Sequence, residues 1–250
     1  MYNYKLIIAY DGTLFSGWQI QPNSITIQEK LEKIICIIIK ENISLIGSGR
    51  TDAGVHALGQ TANFKCQNPL QIPKFLKSLN GMLPLEIRII RVEEVSLDFH
   101  SRYSAIGKCY HYHLCLDPVQ LPFSKNYSWH IFQKFDVELL KKAAKLFIGK
   151  HDFTSFANES HKGSASKNPV RNLYRLDVIE EAGGVRLEFE GDGFLYKMVR
   201  NIVGVLHEVS IGKRDISQIN EIFASKDRRK AGKSAPPHGL FLVEVFYPKE

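Results

Sequence analysis

The chain has 250 residues, enough for one large domain or two small ones with a substantial core. Hydrophobic residues at 44% and charged residues at 24% are an ordinary soluble composition, and no apolar run is long enough to span a bilayer. Lys and Arg outnumber Asp and Glu by 33 to 26, a net charge of +7 that favours a polyanionic partner, nucleic acid foremost.

Residues 2–10 alternate loosely and predict a strand. The chain enters that strand without signal-peptide organisation, so a cytoplasmic protein with no membrane attachment is expected. "TIQEKLEKIICIIIKEN" predicts a helix: Thr26 and Glu29 have capping-box spacing, and Ile27, Leu31, Ile34, Ile35 and Ile38 recur at helical period. A short strand, "ISLIG", leads into the glycine-rich "GSGRTDAGVHALGQ". "TANFKC" follows as a strand, "IPKFLKSLNGML" as a short helix, and "IRIIRVEEV" and "KCYHYHLCL" as strands. The proline-containing segment 117–135 is expected to be irregular and to cross between the halves. A helix over "DVELLKKAAKLFIG" should end at Gly149, and a mobile loop is expected in the middle of the polar stretch 151–172. A hairpin turning at Gly183-Gly184, a helix over "FLYKMVRNIVGVLHEV", a helix over "ISQINEIFAS" and a final strand "GLFLVEVFY" complete the chain. Strands and helices interleave without the strict βαβ repeat of a parallel sheet. The expected class is α+β, with two similar α/β subdomains, residues 1–105 and 106–250, each a mainly antiparallel mixed sheet flanked by helices.

Three apparent motifs fail on their chemistry. Asp-Gly-Thr at 11–13 resembles the start of the aspartate-nucleophile phosphatases, but their attacking aspartate would fall on Ala9, so Asp11 reads as a turn residue before Gly12. "CYHYHLC" puts Cys109, His111, His113 and Cys115 on one strand face, yet the two cysteines are about 20 Å apart and one zinc cannot gather all four. The four cysteines include no Cys-x-x-Cys pair, which suits free thiols, and no metal is expected. Gly49 and Gly54 have P-loop spacing, but Val55-His56 stands where Lys-Ser/Thr is required. What remains is a glycine-rich turn presenting Arg50, Thr51 and Asp52, open to close approach by a large partner.

"GSGRTDAGVHALGQ" closely resembles the signature of the tRNA pseudouridine synthase A family, and "YDGTLFSGWQIQP" looks like that family's N-terminal strand and turn. The resemblance continues through "LPLEIRIIRVEEVSLDFHSRYSA", "KCYHYHL", "GKHDFTSF", "FEGDGFLYKMVRNIVGVL" and "DRRKAGKSAPPHGLFLVEVFY", nearly the whole chain in one order. Ser48 and Ser101 stand where the family often has alanine, and the 158–168 loop matches poorly; none of these removes a group the reaction needs.

The resemblance implies the pseudouridine synthase fold, with the first subdomain carrying the aspartate loop and the second completing the cleft. It implies an isomerase that converts uridine to pseudouridine at positions 38, 39 and 40 of the tRNA anticodon stem-loop, or at other RNA positions as close relatives do. No cofactor is required, and a homodimer holding tRNA is expected. Asp52 is the implied essential aspartate and nucleophile; attack at C1′, addition to the uracil ring and removal of the ribose 2′ proton all remain open. An ionised carboxylate in a pocket that excludes water needs a nearby cation, and Arg200 in "YKMVRN" matches the family arginine that pairs with the aspartate. Tyr110 matches the active-site tyrosine, suited to stack on an extruded uracil; Arg50 contacts RNA or displaces the base, and Leu240 supplies an apolar wall. Arg102, Lys108, Lys197, Arg88 and the stretch from Lys226 to Lys233 are candidates to grip phosphates. Two other classes compete: a catalytically silent RNA-binding module, which needs no Asp52, and a phosphatase, which Ala9 denies.

Overall fold

In the computed structural model, which describes residues 1–158 and 168–248, the alternating run "YNYKLIIAY" forms β1 (Tyr2–Tyr10), with Tyr4, Leu6, Ile8 and Tyr10 turned inward. The described chain divides into two units, one of Met1–Ile106 with Phe241–Glu250 and one of Gly107–Leu240. The architecture is α+β with mostly antiparallel strands.

In unit one the helical period of "IQEKLEKIICIII" produces α1 (Ile27–Ile39). The Thr26 side chain caps it by accepting from the Glu29 amide, and Lys40 ends it in the left-handed region at φ 58°. The strands are β2 (Ile46–Gly47), β3 (His56–Cys66), β4 (Ile87–Val95) and β10 (Leu240–Phe246), and α2 (Ile72–Met82) lies between β3 and β4. Their order is β4-β1-β3-β10, with β2 also on β3; only the β3–β10 pair is parallel. Helix α1 packs on α2, which packs on β4.

β3 begins at His56, five residues before the strand expected at "TANFKC", because "HALGQ" reads locally as loop. Its Gly59 is needed where the Val243 backbone of β10 passes too close to leave room for a Cβ. β10, which a division at 105/106 puts in the second half, pairs with β3 through Phe241 and Leu242.

Unit two is built on β5 (Gly107–Cys115), β7 (Gly149–Asp152), β8 (Val170–Glu181) and β9 (Gly184–Gly191) in the antiparallel order β5-β9-β8-β7, with the two-residue β6 (Trp129–His130) parallel to β5. The β8–β9 hairpin turns at Gly183, φ 76°, as its glycine pair predicts. The helices are α3 (Val137–Lys145), α4 (Met198–Ser210) and α5 (Gln218–Ser225). Helix α3 stops before Gly149, which opens β7 instead, and α4 starts late because Lys197 sits in the left-handed region at φ 60°. Helix α4 packs on α3 with Ile202, Val205, Leu206 and Val209 fully buried. Segment 117–135 is mostly irregular and lies inside unit two rather than crossing between halves. The mobile loop expected in 151–172 falls largely on residues 159–167, outside the described residues.

Candidate active site

Asp52 lies half-buried in the irregular connection between β2 and β3, and three hydrogen bonds from the end of β1 and the β1–α1 connection hold that loop. Tyr10 and Thr51 share a hydrogen bond of 2.8 Å, and burial pushes the Tyr10 phenol far above its ordinary range, against the opposing pull of its bonds to Thr51 and Gln60. The Trp18 amide donates to the Thr51 carbonyl at 3.1 Å and the Gly54 amide to the Phe15 carbonyl at 3.4 Å. Two glycines permit this approach. A Cβ on Gly12 would overlap the Val55 carbonyl, and one on Gly17, already at φ 91°, would lie 2.5 Å from the Thr51 oxygen. Beneath the loop, Ser48 donates to Gln60 Oε1 at 2.8 Å and Gln60 Nε2 donates to the Gly49 carbonyl at 3.0 Å. Ser48, where the family often has alanine, is therefore part of the scaffold.

Asp11 has the turn role expected of it. Its Oδ1 accepts from the Thr13 amide at 2.9 Å and hydroxyl at 2.5 Å and faces His56 Nδ1 at 3.2 Å. The His56 ring is buried and stacks on Phe241 at 4.6 Å.

Arg50 is exposed beside Asp52, and a relay of amides reaches it that sequence reading missed. Gln28 on α1 donates to the Leu45 carbonyl at 2.9 Å and to Glu32 at 3.2 Å. Its Oε1 accepts from Gln19 Nε2 at 2.9 Å, and Gln19 Oε1 accepts from Arg50 Nε at 3.3 Å. The spaced glutamines in "GWQIQ" and "TIQEK" were the available signal. Arg102, also in unit one, is exposed on a separate turn after β4, and Arg88 is engaged with the carbonyls of Pro84 and Ile87.

In unit two Tyr110 pairs opposite Phe189 and meets the Phe194 ring edge-on at 5.0 Å; it is only 8% exposed. Lys108 precedes it by two residues and is half-buried. Tyr112 donates to the Pro236 carbonyl at 2.8 Å; burial pushes its phenol up and the Arg200 charge opposes that rise. Arg200, in the first turn of α4, donates from Nε to the Ala235 carbonyl at 2.8 Å while its own carbonyl accepts from the Ala235 amide at 2.9 Å. Lys197 immediately precedes that helix, its ammonium 5.2 Å from the Tyr196 ring centre. Leu240 is buried at the start of β10.

The segment that holds Arg200 is fastened by a second group not foreseen. Arg228 donates to Asn201 Oδ1 at 2.7 Å, Ser234 Oγ at 3.0 Å, the Gly232 carbonyl at 2.7 Å and Asn158 Oδ1 at 3.2 Å, while fully buried Asn201 donates to the Phe156 carbonyl at 2.8 Å. Arg228 thus points inward, whereas Arg229, paired with Asp227 at 2.8 Å, and Lys226, paired with Asp152 at 3.0 Å, remain exposed on the surface. In "CYHYHLC", His111 faces Glu188 at 3.6 Å and His113 faces Glu181 at 3.3 Å. Among the described residues no group of three or more His, Cys, Asp or Glu is placed to hold a metal ion. No described helix is long and apolar enough to cross a membrane.

A family model described as tRNA pseudouridine synthase matches residues 6–104 and 143–248. The tRNA pseudouridine synthase A 1 of Protochlamydia amoebophila is 61% identical over 251 residues, covering 100% of this chain and 98% of that one. The tRNA pseudouridine synthase A of Chlamydia muridarum is 47% identical, covering 97% and 91%, and that of a Thermoanaerobacter species is 42% identical, covering 99% and 100%.

Proposed function

The chain belongs to the tRNA pseudouridine synthase family, and from that membership we propose that it isomerises uridine to pseudouridine at positions 38, 39 and 40 of the tRNA anticodon stem-loop. The observation that carries the reading is the braced "GSGRTDAGVH" loop, in which a half-buried Asp52 stands between the fixed Thr51 and the Gly54–Val55 backbone.

The reaction breaks the N1–C1′ bond, turns the base, and joins C5 to C1′. C5 loses its hydrogen as a proton and N1 gains one, so atoms and electrons balance without an external oxidant or reductant. The target must leave the stack for Asp52 to reach it. Asp52 acts as the nucleophile at C1′ or on the ring, or else as the base at the ribose 2′ carbon. Arg200 is the cation that pairs with Asp52. Support for that role is the "YKMVRN" match and the bond from Arg200 Nε to the Ala235 carbonyl, which orients the guanidinium beside a backbone that Ala235 also pairs with. Tyr110 stacks on the extruded uracil, Leu240 walls its apolar edge, and Arg50 helps hold the base out. Arg102, Lys108 and Lys197 contact phosphates. The working form is a cytoplasmic homodimer.

The test is tritium release from tRNA labelled at C5 of uridine. Wild type is expected to release label to water, and Asp52→Asn to bind tRNA without release. Mapping the product is expected to place pseudouridine at 38–40; product elsewhere moves the chain to a sister specificity. Binding without release by wild type would leave a silent RNA-binding module as the better account.

A further inference from the structure

Residues 99–104, "FHSRYS", form a turn held more firmly than its length requires. The Ser104 amide donates to the His100 carbonyl at 2.9 Å and the His100 amide to Ser104 Oγ at 3.1 Å. The amides of Arg102 and Tyr103 both point at His100 Nδ1, at 3.1 and 3.3 Å. Ser101 roots the turn in unit one and is fully buried. Its amide donates to Asn63 Oδ1 at 2.9 Å, its hydroxyl to the Ile46 carbonyl at 2.5 Å, and its carbonyl accepts from the Tyr247 hydroxyl at 2.6 Å. The hydroxyl that departs from the family's usual alanine is one of these anchors.

What this rigid base presents is polar and aromatic. Tyr103 is 74% exposed, so its ring has little to do with the core. The His100 ring lies 4.3 Å from it and the Arg102 guanidinium 5.7 Å from its centre. A flat π surface paired with a guanidinium on an immobile turn costs little entropy to engage, and it combines stacking with phosphate attraction, the two interactions by which proteins hold single-stranded nucleotides. An apolar protein partner would have to desolvate Arg102 without repayment, whereas RNA brings the complementary charge. Unpaired loop bases, unlike stem bases, offer a free face.

We propose that His100, Arg102 and Tyr103 form a platform for one unstacked nucleobase of the substrate tRNA other than the target uridine, with the base on Tyr103 and its neighbouring phosphate on Arg102. This rests on the reading of tRNA as substrate.

The experiment measures equilibrium binding of unmodified tRNA by wild type, Tyr103→Ala, Tyr103→Leu, Tyr103→Phe and Arg102→Gln between about 50 and about 200 mM salt. Tyr103→Ala is expected to weaken binding about 5- to 100-fold with an unchanged salt slope, the range of one lost base–aromatic stack. Tyr103→Leu should behave like alanine because it keeps bulk but has no π face, and Tyr103→Phe should stay within about twofold of wild type. Arg102→Gln should lower the salt slope by about one. Melting temperatures should not move, since the ring packs on little. Wild-type affinity in Tyr103→Ala overturns the platform. So does a changed sedimentation of the free Tyr103→Ala protein, which would place the ring against a second copy. Wild-type protein that neither binds tRNA nor releases tritium from it would instead defeat the substrate reading.

Discussion

Gly12→Ala tests whether the turn after β1 serves catalysis or only the fold. The added Cβ would overlap the Val55 carbonyl oxygen and lie 2.7 Å from its carbon, against an ordinary carbon–carbon contact of about 3.5 to 4.0 Å. Both neighbours are backbone, so no side chain can swing aside and one strand of chain must retreat by about 1 Å. The Val55 amide donates to the Asp52 carbonyl at 3.1 Å, so the retreat is passed to the aspartate loop. Overpacking of this kind costs about 1–3 kcal/mol, which for a chain of this size lowers Tm by about 2–12 °C. A displacement of about 1 Å at a reacting group costs about a hundredfold in turnover. Single-turnover tritium release at saturating tRNA should therefore fall by about that factor while tRNA affinity stays near wild type. Gly81→Ala is the control, because a Cβ there meets nothing within 4 Å on helix α2 and should stabilise by about 0.5–1 kcal/mol. If Gly12→Ala melts lower yet turns over within about threefold of wild type, the brace serves only the fold and the reasoning fails.

The amide relay predicts coupling: Gln19→Ala and Arg50→Ala should be non-additive in kcat/KM, with an interaction of about 0.5–3 kcal/mol, and simple additivity would show that Gln19 does not position Arg50. Acid stability follows from His111, His113 and His207, each lowered first by burial, with Glu188, Glu181 and Glu208 respectively the leading opposing charges. A histidine whose folded value lies below its unfolded value of about 6.5 binds its proton more readily in the unfolded chain. Its stabilisation is fully present above about pH 6.5 and is lost as pH falls through the folded values. Tm should hold near neutrality and decline toward pH 5, before the depressed carboxylates Glu188 and Glu208 begin to titrate. A Tm that rises on acidification from pH 7 would contradict it.

The elements were readable because their causes are local. Alternation in β1, the Thr26 cap and period of α1, and the glycine pair of the β8–β9 turn each act within a few residues. The loop bearing Arg50 and Asp52 was also legible, since its glycines and its resemblance to a family signature lie in one continuous stretch. Element ends were less so: α3 and α4 both came out shorter than their apolar patterns, where Gly149 opens a strand and Lys197 leaves the helical region.

What the linear chain could not disclose is what each element is held against. Tyr10 meets Thr51 across 41 residues and Arg50 meets Gln19 across 31, through side-chain bonds that leave no periodic trace. The final strand reads as apolar whichever neighbour it has, and only the fold lays it parallel to β3, with Gly59 making room. Likewise the charge on Arg228 marked it for a phosphate until packing turned it inward onto Asn201 and Ser234. Composition and pattern determine which segments form and which must be buried; the pairing of segments far apart is chosen by the joint packing of the whole core, and the supports of Asp52 and Arg200 belong to that choice.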